Sequence, residues 1–231
     1  MKKGFTLAEV LITLGVVGIV AILTIPSVMK NYTNRMYVSQ LQKSYSQVAE
    51  AVQAIMNDEH SDNFKETSAS KVNPSGCPAT LSKCTEGPAY FLNNYFKTVK
   101  TNCGNNIEGF CLNNANNFYR RLDNTKVGGH SYYCVQTVTG AAVCAWFNSS
   151  LKCTSIMVDV NGPAQPNVAG RDLFAMDIHE NGTISDYSSG CANNSIGAPA
   201  SDCGSGAVDN LPTSAKGCLN NVIQAGWKME Y

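Results

Sequence analysis

The chain has 231 residues with 17 basic and 17 acidic side chains, so it is formally neutral at pH 7. This length suits one domain of about 150 to 200 residues plus a terminal helix, and it argues against a multidomain enzyme. A balanced charge gives no strong positive field of the kind that attracts nucleic acid. We therefore do not expect a nucleic acid among its partners.

A long apolar segment begins close to the start of the chain. It covers residues 5–25, follows the basic pair Lys2 and Lys3, and contains one charged side chain, Glu9. At about 1.5 Å per residue, a helix of this length crosses the roughly 30 Å hydrocarbon core of a bilayer. A carboxylate in such a span costs about 2.5 to 3.5 kcal/mol. Glu9 therefore predicts a partner for its charge, although a position near the membrane edge would also tolerate it.

The residues around Glu9 resemble the type III signal of type IV pilins and type II secretion pseudopilins. The shared pattern is a short basic leader, a glycine, a phenylalanine and then Thr-Leu-x-Glu, which ends here at Glu9. The resemblance implies that a prepilin peptidase cuts between Gly4 and Phe5 and that the new amino group of Phe5 is N-methylated. It also implies that Glu9 pairs with the Phe5 amino group of a neighbouring subunit, and that Pro26 is the helix-kinking proline of the family.

An ordinary secretory signal peptide is the alternative interpretation of this segment. Such a peptide also has a basic start and an apolar core, but it is cut after that core and discarded. Here the implied leader is residues 1–4, and the apolar helix of residues 5–25 stays on the mature subunit as membrane anchor and then as filament core. The positive-inside rule sends everything after residue 25 across the membrane. We therefore expect a single-pass inner-membrane protein with an extracytoplasmic domain.

The helical pattern continues beyond the apolar segment. Apolar residues recur at steps of three and four over residues 26–58, which predicts an amphipathic second half of the same helix. A coiled-coil seam is an alternative, but the clean heptads are few, so packing against a sheet is favoured. The residues of the apolar face are Val38, Leu41, Tyr45, Val48, Val52 and Ile55.

β-Prone runs predict an antiparallel sheet within residues 59–231. Two of them flank Thr139 and Gly140, which favours a β-hairpin. If Gly140 ends a three-residue loop, Cys134 lies opposite Cys144, close enough for a disulfide. A tight turn at residues 180–182 predicts a second hairpin. The predicted strands are Tyr132–Val138, Ala141–Phe147, Ser155–Val160, Leu173–His179 and Thr183–Tyr187.

The rest of the domain is less regular in sequence. Residues 60–129 are rich in Asn, Lys, Ser and Cys and predict loops with one short helix at Ala89–Phe96. The end, Cys218–Tyr231, predicts a short helix or turn followed by a last strand. The whole pattern predicts an α+β fold of pilin-like layout, in which a long N-terminal helix packs on an antiparallel sheet and disulfides staple the loops.

All the cysteines lie beyond the apolar helix, in a compartment where disulfides persist. There are ten of them, so we expect up to five bridges. Structural zinc is the competing interpretation, but no Cys-x-x-Cys pair occurs and the three histidines are scattered. The disulfide candidates are Cys77, Cys84, Cys103, Cys111, Cys134, Cys144, Cys153, Cys191, Cys203 and Cys218.

The segment after the third predicted strand resembles a loop found in pseudopilin-like proteins between two sheet strands. Some major pseudopilins bind calcium in a C-terminal loop, and Ca²⁺ takes six to eight oxygen ligands. The candidate ligands are Asp159, Asn161, Asn167 and Asp172. The favoured alternative is that these side chains cap turns of their own backbone while Arg171 pairs with a nearby acid. We therefore expect no obligatory cofactor, with calcium as the one candidate.

Few residues suggest catalysis, so we expect no enzyme activity. His60, His130 and His179 lie in unrelated segments, and no Gly-x-Ser-x-Gly, phosphate-loop or His-Glu-x-x-His motif occurs. Asp177 and His179 alternate on one predicted strand face and could form an acid-base pair. A solvated strand face explains them better.

The sequence thus predicts a structural subunit of a type IV pilus-like filament, assembled through its N-terminal helix. The expected partners are prepilin peptidase, the pilus or secretion assembly machinery, the inner membrane, and copies of itself or other pilins. Two alternatives stay open: a periplasmic pseudopilin of type II secretion, and a membrane-anchored binding module that never polymerises. The lone acid Glu9 argues against the last, because a simple tether gains nothing from a buried carboxylate.

Overall fold

The computed structural model describes residues 4, 6–77, 79–103, 111, 119–127, 132–188, 203 and 211–231. Phe5 and Cys191, both predicted to be functional or structural positions, lie outside these ranges. Contacts divide the chain into two units, Met1–Met36 and Tyr37–Tyr231. The first unit contains the apolar half of the N-terminal helix, and the second contains the sheet.

Helix α1 spans Leu7–Asp58 and continues through Pro26 without ending. In the part of α1 that belongs to the first unit, every Leu, Ile, Val and Met side chain from Leu7 to Met29 is exposed. By length and composition this is the one helix among the described residues that is able to cross a membrane. The apolar surface of residues 7–29 therefore lacks cover from this unit itself, and lipid or other helices would have to supply it.

The second half of α1 is amphipathic, as the sequence predicts. Its buried positions recur at steps of three and four, and they share one hydrophobic core with a face of the sheet. This confirms packing on a sheet rather than a coiled-coil seam. Tyr45 is only partly buried, and its ring meets the edge of Trp227 with centroids 5.7 Å apart. The buried residues are Tyr37, Val38, Leu41, Ser44, Val48, Ala51, Val52, Ile55 and Met56.

Six strands form one antiparallel sheet in which each strand pairs with the next along the chain. The layout of an N-terminal helix and an antiparallel sheet confirms the predicted α+β class. The edge strand β1 was not predicted, because its three residues carry no alternating pattern. The strands are β1 (Thr98–Lys100), β2 (Tyr133–Thr137), β3 (Ala142–Asn148), β4 (Cys153–Asp159), β5 (Leu173–Ile178) and β6 (Ile184–Asp186).

Both faces of the sheet are covered. Side chains alternate along a strand, so Val143 and Ile156 face the core that includes α1, whereas Cys144 and Met157 face a second core. The second core also holds Tyr119 from the segment before β2. Coverage on two sides explains why every residue of β4 and β5 is buried.

The chain end differs from its prediction. Helix α2 (Gly87–Tyr95) matches the predicted short helix, and α3 (Leu211–Ser214) and α4 (Cys218–Gln224) follow the sheet. No strand follows α4 within residues 225–231, so the predicted last strand is wrong. Gly226 and Trp227 both have positive φ angles, 68° and 58°, which is incompatible with an extended strand at this point.

Disulfides connect loops and strands of the second unit. The bridges are Cys77–Cys84, Cys103–Cys111, Cys134–Cys144 and Cys203–Cys218, and Cys153 is also disulfide-bonded. The predicted pairing of Cys134 with Cys144 is confirmed, since these residues are direct partners across β2 and β3. No free cysteine is found in the described part of the chain.

Candidate functional site: the N-terminal helix and the buried acidic loop

The first candidate site is the start of α1. Glu9 Oε2 accepts two hydrogen bonds of 2.8 Å, one from the Thr6 backbone amide and one from the Thr6 hydroxyl. In return, the backbone amide of Glu9 donates to Thr6 Oγ1 over 3.3 Å. This reciprocal arrangement is a capping box, in which the residue before the helix and the third helical residue satisfy each other's amides.

The capping box gives Glu9 a local role that the sequence interpretation overlooked. Its signal, Thr followed three residues later by Glu before an apolar run, was present at Thr6 and Glu9. The Glu9 side chain remains exposed, and only its Oε2 is bound by Thr6. Capping therefore orients the carboxylate at the helix start without enclosing its charge. Gly4 precedes it, and a Cβ built on Gly4 meets no atom within 4 Å.

The second candidate site is the loop between β4 and β5. Asp159 is the last residue of β4, and Asp172 directly precedes β5. The backbone amide of Val160 donates to the Asp172 carbonyl over 2.8 Å, which brings the two ends of the loop together. Asp159 and Asp172 are both fully buried. Sequence reasoning placed these two acids in one site, and the structure does bring them into one loop.

Each carboxylate has hydrogen-bond partners inside the protein. Asp172 accepts from the backbone amides of Asn167 and Val168 over 2.8 and 2.6 Å. Asp159 accepts from the Asn161 backbone amide over 3.2 Å and from the Tyr119 hydroxyl. The backbone contacts are the turn caps that the sequence interpretation favoured. Tyr119 was missed, because it lies forty residues before Asp159 and no local pattern links them.

The two acids of this loop are buried close together, away from solvent, and this shifts their pKa values. Burial, and then the nearby charge of Asp172, raises the pKa of Asp159 well above its ordinary value. Burial raises the pKa of Asp172 to about 6, although the amides of Val168 and Asn167 oppose the shift. Burial and the neighbouring Asp159 also raise the pKa of Tyr119. The loop therefore favours either a retained proton or a bound cation over two bare carboxylates.

Two amide side chains of the same loop have a buried oxygen without a hydrogen-bond partner, although Asn161 Nδ2 donates to the Gln165 carbonyl over 3.1 Å. Asn167 is fully buried, and neither its Oδ1 nor its Nδ2 makes a hydrogen bond; Asn161 Oδ1 is likewise buried and unbonded. Together with two carboxylates, these oxygens form the hard donor set that Ca²⁺ prefers. No group of three or more His, Cys, Asp or Glu side chains suited to a metal occurs among the described residues. A cation here would thus depend on amide and backbone oxygens as well as on the two acids.

Arg171 does not neutralise this loop by a salt bridge. The salt bridges found among the described residues are Lys65–Glu180 and Lys71–Glu86, both elsewhere. Arg171 only lowers the pKa of Asp172 slightly from a distance, as the smallest of several influences. The predicted pairing of Arg171 with a nearby acid is therefore not seen in the described structure.

The residues of the suggested acid-base pair, Asp177 on β5 and His179 just after it, each hydrogen-bond to serines. Asp177 accepts from Ser155 Oγ over 2.5 Å and from the amide and hydroxyl of Ser188 over 2.8 and 3.0 Å. His179 Nε2 lies 2.7 Å from Ser185 Oγ. Both residues are buried, so the expected solvated strand face is wrong. The second core covers this face, and hydrogen bonds to serines satisfy its polar groups.

Comparison with protein-family models, with curated proteins and with solved structures gives no match. The described structure is that of an α+β protein with one exposed apolar N-terminal helix and a disulfide-stapled antiparallel sheet.

Proposed function

We propose that this chain is a structural subunit of a type IV pilus-like filament. The observation that carries the proposal is the pattern at the start of the chain. A basic leader ends at Gly4, and an apolar helix with one acid, Glu9, follows and exposes its apolar side chains from Leu7 to Met29. A prepilin peptidase cuts before Phe5 and methylates its amino group, and the helix stays on the mature subunit.

The exposed apolar surface needs cover in two successive states of the subunit, first in the membrane and then in the filament. In the inner membrane, lipid covers residues 5–25 and the domain lies outside the cytoplasm. An assembly machine then extracts the subunit, and helices of neighbouring copies or other pilins replace the lipid. Apolar burial is thus kept through the transfer, because one apolar environment is exchanged for another.

Glu9 sets the register of this assembly. In a low-dielectric filament core an unpaired carboxylate is expensive, so a position in which it meets the positive Phe5 amino group of a neighbour is strongly preferred. The capping box supports this role, because Thr6 holds the Glu9 carboxylate at the end of the helix where such a neighbour would arrive.

A type II secretion pseudopilin is the second candidate function, favoured by the β4–β5 loop. The carboxylates of Asp159 and Asp172 and the unbonded Oδ1 atoms of Asn161 and Asn167 are the oxygen ligands that would hold a calcium ion. When bound, the ion supplies positive charge to two buried carboxylates. The chain holds the ligand oxygens in one loop, and the hydrogen bond from the Val160 amide to the Asp172 carbonyl closes that loop. A non-polymerising membrane-anchored module is the third candidate, and Glu9 argues against it.

Cleavage by prepilin peptidase tests the proposal. The full chain is expressed with and without the peptidase, and its intact mass and N-terminal sequence are measured. We expect removal of residues 1–4 and a methylated Phe5 only when the peptidase is present. Gly4→Leu should block cleavage without affecting folding, because space surrounds Gly4. Gly18→Ala, at an equally open position, is the matched control and should be cut normally. A cut beyond residue 25 would overturn the proposal.

A further inference from the structure

A cavity of about 370 Å³ opens on the sheet face opposite to α1. Tyr132 precedes β2 at the position opposite Trp146 on β3, because the register pairs Tyr133 with Ala145. Tyr187 follows β6 and brings a third ring to the same cavity. Its rim carries Asn148 and Ser149, at the end of β3. The cavity lies within the size range of small-molecule sites.

The three rings form a platform of tilted rings in contact with one another rather than a cage. Tyr132 and Trp146 have centroids 4.5 Å apart at an interplanar angle of 37°, and Trp146 and Tyr187 have centroids 5.8 Å apart at 59°. Rings at these distances touch each other, so no ligand atom fits between them. Trp146 and Tyr187 are partly exposed, whereas Tyr132 is buried beneath. A ligand would therefore rest on the exposed parts of Trp146 and Tyr187 instead of entering between the rings.

The polar rim is neutral and held in place. Asn148 Oδ1 accepts from the backbone amides of Ser150 and Leu151 over 3.1 and 3.2 Å, which fixes the side-chain amide and leaves its Nδ2 as a donor. Ser149 is exposed and supplies a hydroxyl. Burial raises the pKa of the Tyr132 and Tyr187 hydroxyls, so both stay uncharged. The described lining residues carry no charge.

We propose that this cavity binds a neutral pyranose ring of an extracytoplasmic glycan, with the C–H face of the sugar on Trp146 and its hydroxyls on Asn148 and Ser149. A pyranose offers an apolar face and a polar edge, which match an aromatic platform with a hydroxyl and amide rim. A quaternary ammonium ion would need rings that surround it and gains most from a nearby negative charge. The contacts between the rings leave no enclosed space for such an ion, which argues against that ligand. The site is separate from the N-terminal helix and does not depend on filament assembly.

Fluorescence titration of the full chain tests this site. The protein is purified in a detergent without a sugar headgroup, since a glycoside detergent would compete. The chain has two tryptophans, so Trp227→Phe leaves Trp146 as the single reporter. We expect a saturable change in its emission on titration with short neutral oligosaccharides of hexose and N-acetylhexosamine units.

Variants separate the platform from the rim. Trp146→Ala, followed by calorimetry in the otherwise native chain, should weaken binding by about tenfold or more. Trp146→Phe and Asn148→Ala should each weaken it by a smaller factor, and they serve if Trp146→Ala fails to fold. Val99→Ala, at an exposed position of β1, is the control and should bind normally. The proposal is overturned if folded native protein binds no sugar of the set, if affinity survives all the Trp146 and Asn148 variants, or if tetramethylammonium or indole binds more tightly than the sugars.

Discussion

Thr6 and Glu9 satisfy each other's hydrogen bonds at the start of α1, with the Glu9 carboxylate accepting from both the amide and the hydroxyl of Thr6. The acid that the filament hypothesis assigns to a neighbouring subunit therefore also caps its own helix. These two roles make different demands on the side chain. Capping needs an acceptor oxygen, whereas pairing with an amino group needs a negative charge.

Glu9→Gln separates capping from charge. Glutamine keeps an acceptor at the third helical position and can complete a capping box, but it carries no charge. We expect Glu9→Gln to be processed and inserted in the membrane at native levels and yet to yield few or no filaments in sheared fractions. Glu9→Ala should assemble as poorly and also lose the Glu9 half of the capping box, which lowers the stability of the helix start. Native filament yield from Glu9→Gln would show that the charge is dispensable.

Leucines in the two halves of α1 should respond differently to truncation. Leu41 is fully buried in the core of the second unit, whereas the side chain of Leu14 is 64 % exposed in the first. Leu41→Ala should lower the free energy of unfolding of the sheet domain by about 2 to 5 kcal/mol. Leu14→Ala should leave it within about 0.5 kcal/mol but reduce filament yield. Denaturant titrations of both variants in detergent, beside filament counts, check this. Equal destabilisation by the two would contradict it.

The buried acid Asp172 should make stability depend on pH. Its pKa is about 6 in the folded chain against an ordinary 3.8, so between these values the folded state holds a proton that the unfolded state has released. Its contribution is therefore present below pH 3.8 and is lost as pH rises to 6, on the order of 3 kcal/mol. We expect Asp172→Asn to reduce this slope in denaturant titrations with chelator present. The buried acids Asp159 and Asp186 also have raised pKa values, that of Asp186 being about 7, and they add slopes of the same sign, so Asp172→Asn should leave part of the pH dependence. Glu50→Gln, on an exposed position of α1, is the control and should leave the slope unchanged.

Burial favours the protonated form of the acids in this loop. Bound calcium should instead favour their charged form, because a cation stabilises carboxylates. We expect added Ca²⁺ to raise the melting temperature of the full chain at pH 7, since a ligand that binds only the folded state stabilises it. Asp159→Asn and Asp172→Asn should each abolish the increase, and Mg²⁺ should not reproduce it, because Mg²⁺ demands a more rigid octahedral site. An unchanged melting temperature at millimolar Ca²⁺ would leave the loop as a turn capped by its own acids.

The Cys134–Cys144 bridge should contribute to the stability of the sheet. It links two directly paired, buried positions of β2 and β3. Replacing both cysteines with alanine should lower the free energy of unfolding by about 2 to 4 kcal/mol, through loop entropy and lost packing. The double variant avoids a stray thiol. Replacement of Cys77 and Cys84, which staple a loop outside the sheet, is the comparison and should cost less. A larger loss from that second pair would contradict the expected order.

Periodic features were predictable from the sequence. The apolar face of α1 from Val38 to Ile55, the hairpin turn at Gly140 and the pairing of Cys134 with Cys144 all follow from local spacing. Each of these features depends on residues close in the chain or on a single turn, so the local sequence pattern is enough to predict it.

Tertiary features were not predictable in the same way. Tyr119 reaches Asp159 across forty residues, and Trp146 meets Tyr187 only after the four strands β3 to β6 have paired in register. Burial of Asp177 and His179 depends on the second core, which local alternation does not reveal. The missing last strand reflects the left-handed backbone of Trp227, an unusual conformation for a bulky residue. Long-range packing decides each of these features.

The most direct measurement is the N-terminal sequence and intact mass of the protein recovered from its own cells, in membrane and sheared-surface fractions, with and without reductant. The filament assignment predicts a chain that begins at N-methylated Phe5 and is present in the sheared fraction. The same processed chain confined to membranes would favour a pseudopilin. A chain that keeps Met1, or one that begins beyond Ile25, would contradict both.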